Sequence, residues 1–167
     1  MSDRDQSRQP DSEWDRANRH ETETERLDRN WNDLLQELRV AQTGVQLLTG
    51  FLLTLPFQQR FKDLDDIAKY VYLATVGASV AATGVLVAPV AIHRLLFRQH
   101  ARRSMVGAGH ACALAGLALL GVATCGAVYV VTTLVVDDTA GVVAVLLVAI
   151  ALICLWVLLP LLMRRRE

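Results

Sequence analysis

Apolar and polar residues fall along this chain in long blocks rather than in short alternation. Four stretches, Val40–Phe57, Val71–Ile92, Met105–Val136 and Ala140–Met163, contain no Asp, Glu, Lys or Arg. About 20 apolar residues rising 1.5 Å each cross the roughly 30 Å hydrocarbon layer of a bilayer, and these runs have that length or nearly so. The pattern predicts an all-α membrane protein with four transmembrane helices in an antiparallel bundle, the spans lying at about 40–57, 71–92, 106–135 and 140–163.

The polar blocks predict the rest. Residues 1–29 are dense in Ser, Asp, Glu, Arg and Gln and poor in apolar side chains, which predicts a disordered cytoplasmic tail. From Asn30 onward Trp31, Leu34, Leu35 and Leu38 recur at helical spacing, with Asp33, Gln36, Glu37 and Arg39 on the opposite face. This predicts a short amphipathic helix capped by Asp28 or Asn30 and anchored by Trp31, lying in the inner interface or running straight into the first span. Pro56 ends that span, because proline disfavours helical geometry in the residue before it. Phe61, Leu64, Ile67 and Ala68 predict a second amphipathic turn on the outer face, and Pro89 a kink in the second span. The turn between the third and fourth spans is a few residues long, which requires antiparallel neighbours. No internal repeat is visible, so an inverted-repeat transporter gains no support.

Charge adds an orientation. The chain of 167 residues has a net charge of zero, but residues 1–39 hold eleven acidic and seven basic groups. The remainder holds six acidic and ten basic ones. With four spans, both termini and the loop His93–Ser104 share one side, which then collects fourteen of the seventeen basic residues. The positive-inside rule makes that side cytoplasmic. Phe57, Phe61, Tyr70 and Tyr72 gather at the opposite boundary, where aromatic rings favour the headgroup level. The polar start has no apolar core with a cleavage site, so the first span is expected to serve as an uncleaved anchor. Residues 164–167 form a basic cytoplasmic end. The expected location is a bacterial cytoplasmic membrane.

Candidate chemistry is sparse. Arg39, Gln42, Gln46 and Thr49 recur along one side of the first span, and side-chain amides in lipid are costly unless bonded. That side is expected to face the bundle or an oligomer interface, as packing glue or as a polar pathway. Arg94, Arg98, Arg102 and Arg103 predict contacts with anionic lipid headgroups, not with nucleic acid, because the cationic faces lie against the membrane. Small residues in the second span (Gly77, Ser79, Ala82, Gly84) and the third (Gly107, Gly116, Gly121, Gly126) mark packing surfaces. Cys112, Cys125 and Cys154 are odd in number and lie within spans, so they read as apolar fillers rather than a disulfide framework. His93 and His110 approach one boundary but bring no third ligand for a metal or haem. Asp63, Asp65, Asp66, Asp137 and Asp138 can converge at the outer end; they lack calcium-loop spacing and read mainly as solvated loop acids. No Asp, Glu or Lys lies within a span, which weakens a proton- or ion-coupled pump. No nucleophile–base set, phosphate loop or dinucleotide fingerprint is present, so no cofactor and no enzymatic activity is expected.

The run Asn30-Trp31-Asn32-Asp33-Leu34-Leu35-Gln36-Glu37-Leu38-Arg39-Val40-Ala41-Gln42-Thr43-Gly44-Val45-Gln46 is followed by Phe51-Leu52-Leu53 and Leu55-Pro56-Phe57. With Ala88-Pro89-Val90-Ala91 and His93-Arg94, it resembles a family of small actinobacterial membrane proteins known only as a domain of unknown function. The resemblance covers residues 30–163 and implies four membrane helices, with no activity, cofactor or catalytic residue attached. The expectation is an accessory or interaction protein whose partners are the lipid bilayer and either further copies of itself or another membrane protein. The alternative is a small oligomeric channel or transporter with a polar pathway along the first span.

Overall fold

The structure, a computed structural model, describes residues 23–96 and 102–164. Helix α1 runs over Glu23–Thr54, α2 over Asp66–Leu96, α3 over Arg102–Val135 and α4 over Asp138–Ile153. A π-helical turn at Cys154–Leu158 leads into α5, Leu159–Arg164. Among the described residues, four helical segments are long and apolar enough to cross a membrane: Arg29–Phe57, Asp66–Ile92, Gly107–Val135 and Asp138–Arg164.

The helix expected before the first span runs straight into it, the second of the two arrangements expected, and is not a separate element. From Glu23 the chain has no Gly or Pro until Gly44, so nothing stops helix propagating from the polar segment into the apolar one. The helix therefore includes residues 23–29, placed in the tail above, and needs no cap at Asp28 or Asn30. The tail before residue 23 lies outside the described residues, as do the segment from residue 97 to 101 and the end from residue 165. Trp31 also departs from expectation: it is 8% exposed and seats against Gly109 of α3 beside Leu34, rather than anchoring an interface.

Two prolines open the helices, and a side chain from the neighbouring helix closes the first opening. Pro56 supplies no N–H, so the Leu52 carbonyl four residues earlier loses its helical donor; Tyr72 Oη of α2 donates to it at 3.1 Å. Pro89, wholly buried, leaves the Val85 carbonyl, four residues earlier in α2, without its helical donor. Gln42 Nε2 of α1 meets the same turn one residue farther on, donating to the Leu86 carbonyl at 2.8 Å. In hydrocarbon such freed backbone groups find no water, and a neighbouring helix must satisfy them.

Around Pro56 the chain makes two 3₁₀ turns, Leu55–Phe57 and Gln59–Asp63, the second in the region where an amphipathic turn is expected. Leu55, Leu64, Ala68 and Tyr72 bury there with Leu52, Ala127, Tyr129 and Val130. Phe61 meets the Tyr72 ring edge-on at 5.0 Å. Of the four aromatics expected at the outer boundary, Phe57 and Tyr70 are exposed, whereas Phe61 and Tyr72 turn inward because the phenol is needed at Leu52. A second buried cluster, Leu38, Val45, Ala82 and Leu86, joins α1 and α2 farther along.

Helix α3 contacts each of the other three, and glycines let it. A Cβ at Gly109 would stand 2.7 Å from Leu34 Cδ2, and one at Gly116 would collide with Leu86 of α2. At Gly126 it would collide with Thr75 of α2. Gly121 makes only ordinary contact with Trp156, while Gly77, Gly84 and Gly107 face open space. The expected packing surface is thus real at Gly116 and Gly126 and absent at those three. The last span seats on α3 through Gly141, beneath Thr133 and Tyr129. Pro160 sits just after its π turn and explains it: the missing N–H leaves the Trp156 carbonyl without a donor, and the backbone rewraps around the gap.

Candidate functional site

The polar positions of α1 divide between two surfaces. Residues 39 and 46, and likewise 42 and 49, are seven apart and nearly eclipsed, but the two pairs are offset by about 60° around the helix. The edge of the bundle falls between them. Gln42 is half-buried with its amide on the Leu86 carbonyl, and Thr49, also half-buried, donates to its own helix at Val45 O, 2.8 Å. Arg39 and Gln46 are exposed on the outer surface of the bundle. Thr43, exposed between them, turns its hydroxyl back to the Arg39 carbonyl at 3.0 Å. A single copy therefore does not bring Arg39, Gln42, Gln46 and Thr49 to one lining.

The acidic residues at the other end do come together, and most have a structural task. Asp65 caps α2 by accepting from the Ala68 N–H at 2.8 Å, and Asp137 caps α4 by accepting from Ala140 at 2.8 Å. Both place a carboxylate at the positive end of a helix dipole and satisfy an orphan N–H. Asp138 accepts a hydrogen bond from the Tyr129 hydroxyl, tying the turn to α3. Asp66 pairs with Lys69 at 3.6 Å across an exposed i,i+3 step. A cleft of about 540 Å³ opens among these residues, lined by Arg60, Asp63, Asp65, Thr133 and Asp138 with apolar neighbours. Among the described residues no group of three or more His, Cys, Asp or Glu is arranged to hold a metal ion.

The caps were missed in the sequence, although the signal was present. Each of these two helices begins with an Asp-Asp pair whose first member precedes the apolar run, the position where Asp is favoured as a cap. The ties of Tyr72 and Gln42 to the proline turns were missed as well, since they depend on the register between α1 and α2.

At the opposite end Arg94 is exposed on α2, and Arg102 and Arg103 open α3. The side chains of Arg102, Arg103 and His93, and the whole of Arg98, lie outside the described residues. His110 is exposed. Cys112 and Cys125 are half-buried free thiols, and Cys154 is exposed on the last span, so it fills no interior space.

A family model described as a family of unknown function (DUF6328) matches residues 20–160. No curated protein and no solved structure matches the chain.

Proposed function

From the premise that the chain belongs to DUF6328, a family of unknown function, we propose that it is a non-enzymatic integral membrane protein working through partners or lipids. The observation that carries this reading is that many of the polar groups within the helices are consumed by architecture, while others, Arg39 and Gln46 among them, stay exposed. Tyr72 closes a proline-opened turn, Gln42 ties α1 to the Leu86 carbonyl of α2, and Asp65 and Asp137 cap helices. What remains accessible among the described residues is a set of surfaces, not a catalytic constellation.

The finer assignment has four helices in an antiparallel order, both termini cytoplasmic, in a bacterial cytoplasmic membrane. Contacts of Leu52 with Tyr72 and of Gln42 with Leu86, early with late along the two helices, support the antiparallel pairing. The basic residues gathered at one end support the orientation. The solvent-side helix faces and the basic loop with Arg94, Arg98, Arg102 and Arg103 would meet headgroups and partners.

The channel reading has one observation in its favour, the outward Arg39 and Gln46, and one against it, the engagement of Gln42 inside the bundle. Solute flux in proteoliposomes decides between them. No flux above empty vesicles across a broad panel of ions and small solutes is expected; flux abolished by Gln46→Leu would replace the accessory reading with the channel.

A further inference from the structure

The outward surface of α1 carries a stripe that the bundle does not use. Asn32, Gln36, Arg39, Thr43, Gln46 and Gly50 are all exposed, and they follow one another in steps of four and three residues. That is a period of about 3.6, which keeps them along one side of a straight helix, where two helices can share a seam. Within the charge-free run the stripe consists of Thr43, Gln46 and Gly50.

Depth makes Gln46 the decisive member. Its neighbour Val45 buries with Ala82, which lies close to the middle of the Asp66–Ile92 span, so Gln46 sits near the centre of the hydrocarbon layer. Its side chain has no hydrogen-bond partner among the described residues and points away from the other helices. Lipid cannot supply one there, because headgroup and ester oxygens lie at the edges of the bilayer. An amide left unbonded in hydrocarbon is strongly unfavourable.

We infer that α1 forms a parallel seam with α1 of a second copy of this chain, centred on a Gln46–Gln46 amide pair. A carboxamide carries both donor and acceptor, so two identical side chains at equal depth satisfy each other across a two-fold axis along the bilayer normal. The same axis sets Gly50 opposite Gly50 and Thr43 opposite Thr43. Gly50 has nothing within 4 Å of where a Cβ would stand, and Thr43 has already turned its hydroxyl inward, so both leave a low contour for close approach. Arg39, two turns from Gln46 toward the Trp31 end, has a stem long enough to carry its charge to the headgroups. The inference rests on the membrane-spanning reading of the proposed function.

Single cysteines introduced into full-length protein with Cys112, Cys125 and Cys154 replaced by Ala test it, by oxidation in native membranes. Thr43→Cys, Gln46→Cys and Gly50→Cys are expected to give disulfide-linked dimers, with little from the equally exposed Leu47→Cys. In parallel, energy transfer between labelled copies in dilute liposomes is expected to show a dimer whose dissociation constant rises about tenfold with Gln46→Leu. Equal cross-linking at Leu47→Cys, cross-links to a different protein, or a wild-type monomer would overturn the seam. A monomer that remains membrane-integrated and conducts nothing leaves the proposed function standing; a cross-linked dimer that conducts solutes overturns that function and not the seam.

Discussion

The first and last spans have the same task by length and opposite means of meeting it. The segment Arg29–Phe57 has a mean hydropathy of 1.3 in its most apolar window, and Asp138–Arg164 reaches 3.3. In the first, 17% of that window is buried inside the molecule; in the last, none is. Helix α1 gives up lipid affinity for polar side chains and then depends on specific partners: Gln42 on Leu86, Leu52 on Tyr72, Trp31 and Leu34 on Gly109. The last span exposes Val, Leu and Ile over most of its surface and rests on α3 through Val145 and a close approach at Gly141. Hydrophobicity suffices to keep a helix in the membrane, whereas position within a bundle has to be specified by shape and hydrogen bonds, because lipid is as apolar as leucine.

The contrast is most severely tested where α1 seats on α3. Gly109→Leu would force a side chain into Leu34 and the Trp31 ring and is expected to cost about 2 kcal/mol of stability, read as a lower thermal unfolding midpoint in detergent. The matching change on the last span, Leu147→Ala, removes an exposed side chain and is expected to stay within about 0.5 kcal/mol of wild type. If both variants unfolded alike, the two spans would not differ in how they are held.

Smaller effects sharpen the same difference. Gln42→Leu and Tyr72→Phe each strip a carbonyl of its donor and are expected to cost about 1 kcal/mol, while Gln46→Leu leaves the stability of the isolated chain unchanged. Loss of stability in Gln46→Leu at a dilution where copies are separate would show that this amide has a partner within its own chain. Asp137→Ala tests the polar cap of the last span and is expected to cost roughly 0.5–1 kcal/mol, seen as faster amide exchange at Ala140 and Gly141. Lys69→Ala, which removes only an exposed pair with Asp66, is expected to be silent.

Much of the fold is legible in the sequence because charge is expensive in lipid. The four runs without Asp, Glu, Lys or Arg locate the membrane-length helices to within a turn at most ends. The start of α1 is not so legible, since the polar residues before Asn30 form helix as readily as the cap logic would end it. Proline was visible at positions 56 and 89, and the amide and phenol that meet those turns were visible too. Their pairing was not, because it depends on the offset between two helices that local pattern does not encode. Glycine illustrates the same limit: Gly116 and Gly126 lie in contacts and Gly77 and Gly84 do not, and a residue without a side chain carries no polarity to tell which way it faces. At the candidate site the spacing 39, 42, 46, 49 identified the correct helix but merged two strips, of which only one belongs to the bundle. The outer acids were read by charge, when their position before each helix made two of them caps.

The two bonds between α1 and α2 bear on how the chain enters a membrane as it is made. A lone α1 in hydrocarbon exposes the Leu52 carbonyl that Pro56 frees and leaves the Gln42 amide without its acceptor. Both are met by α2, through Tyr72 and the Leu86 carbonyl, so these groups of α1 are satisfied in the hairpin with α2 and not alone. Release of α1 by itself from the insertion machinery would strand both; release with α2 strands neither, and α3 and the last span then arrive at a pair already joined.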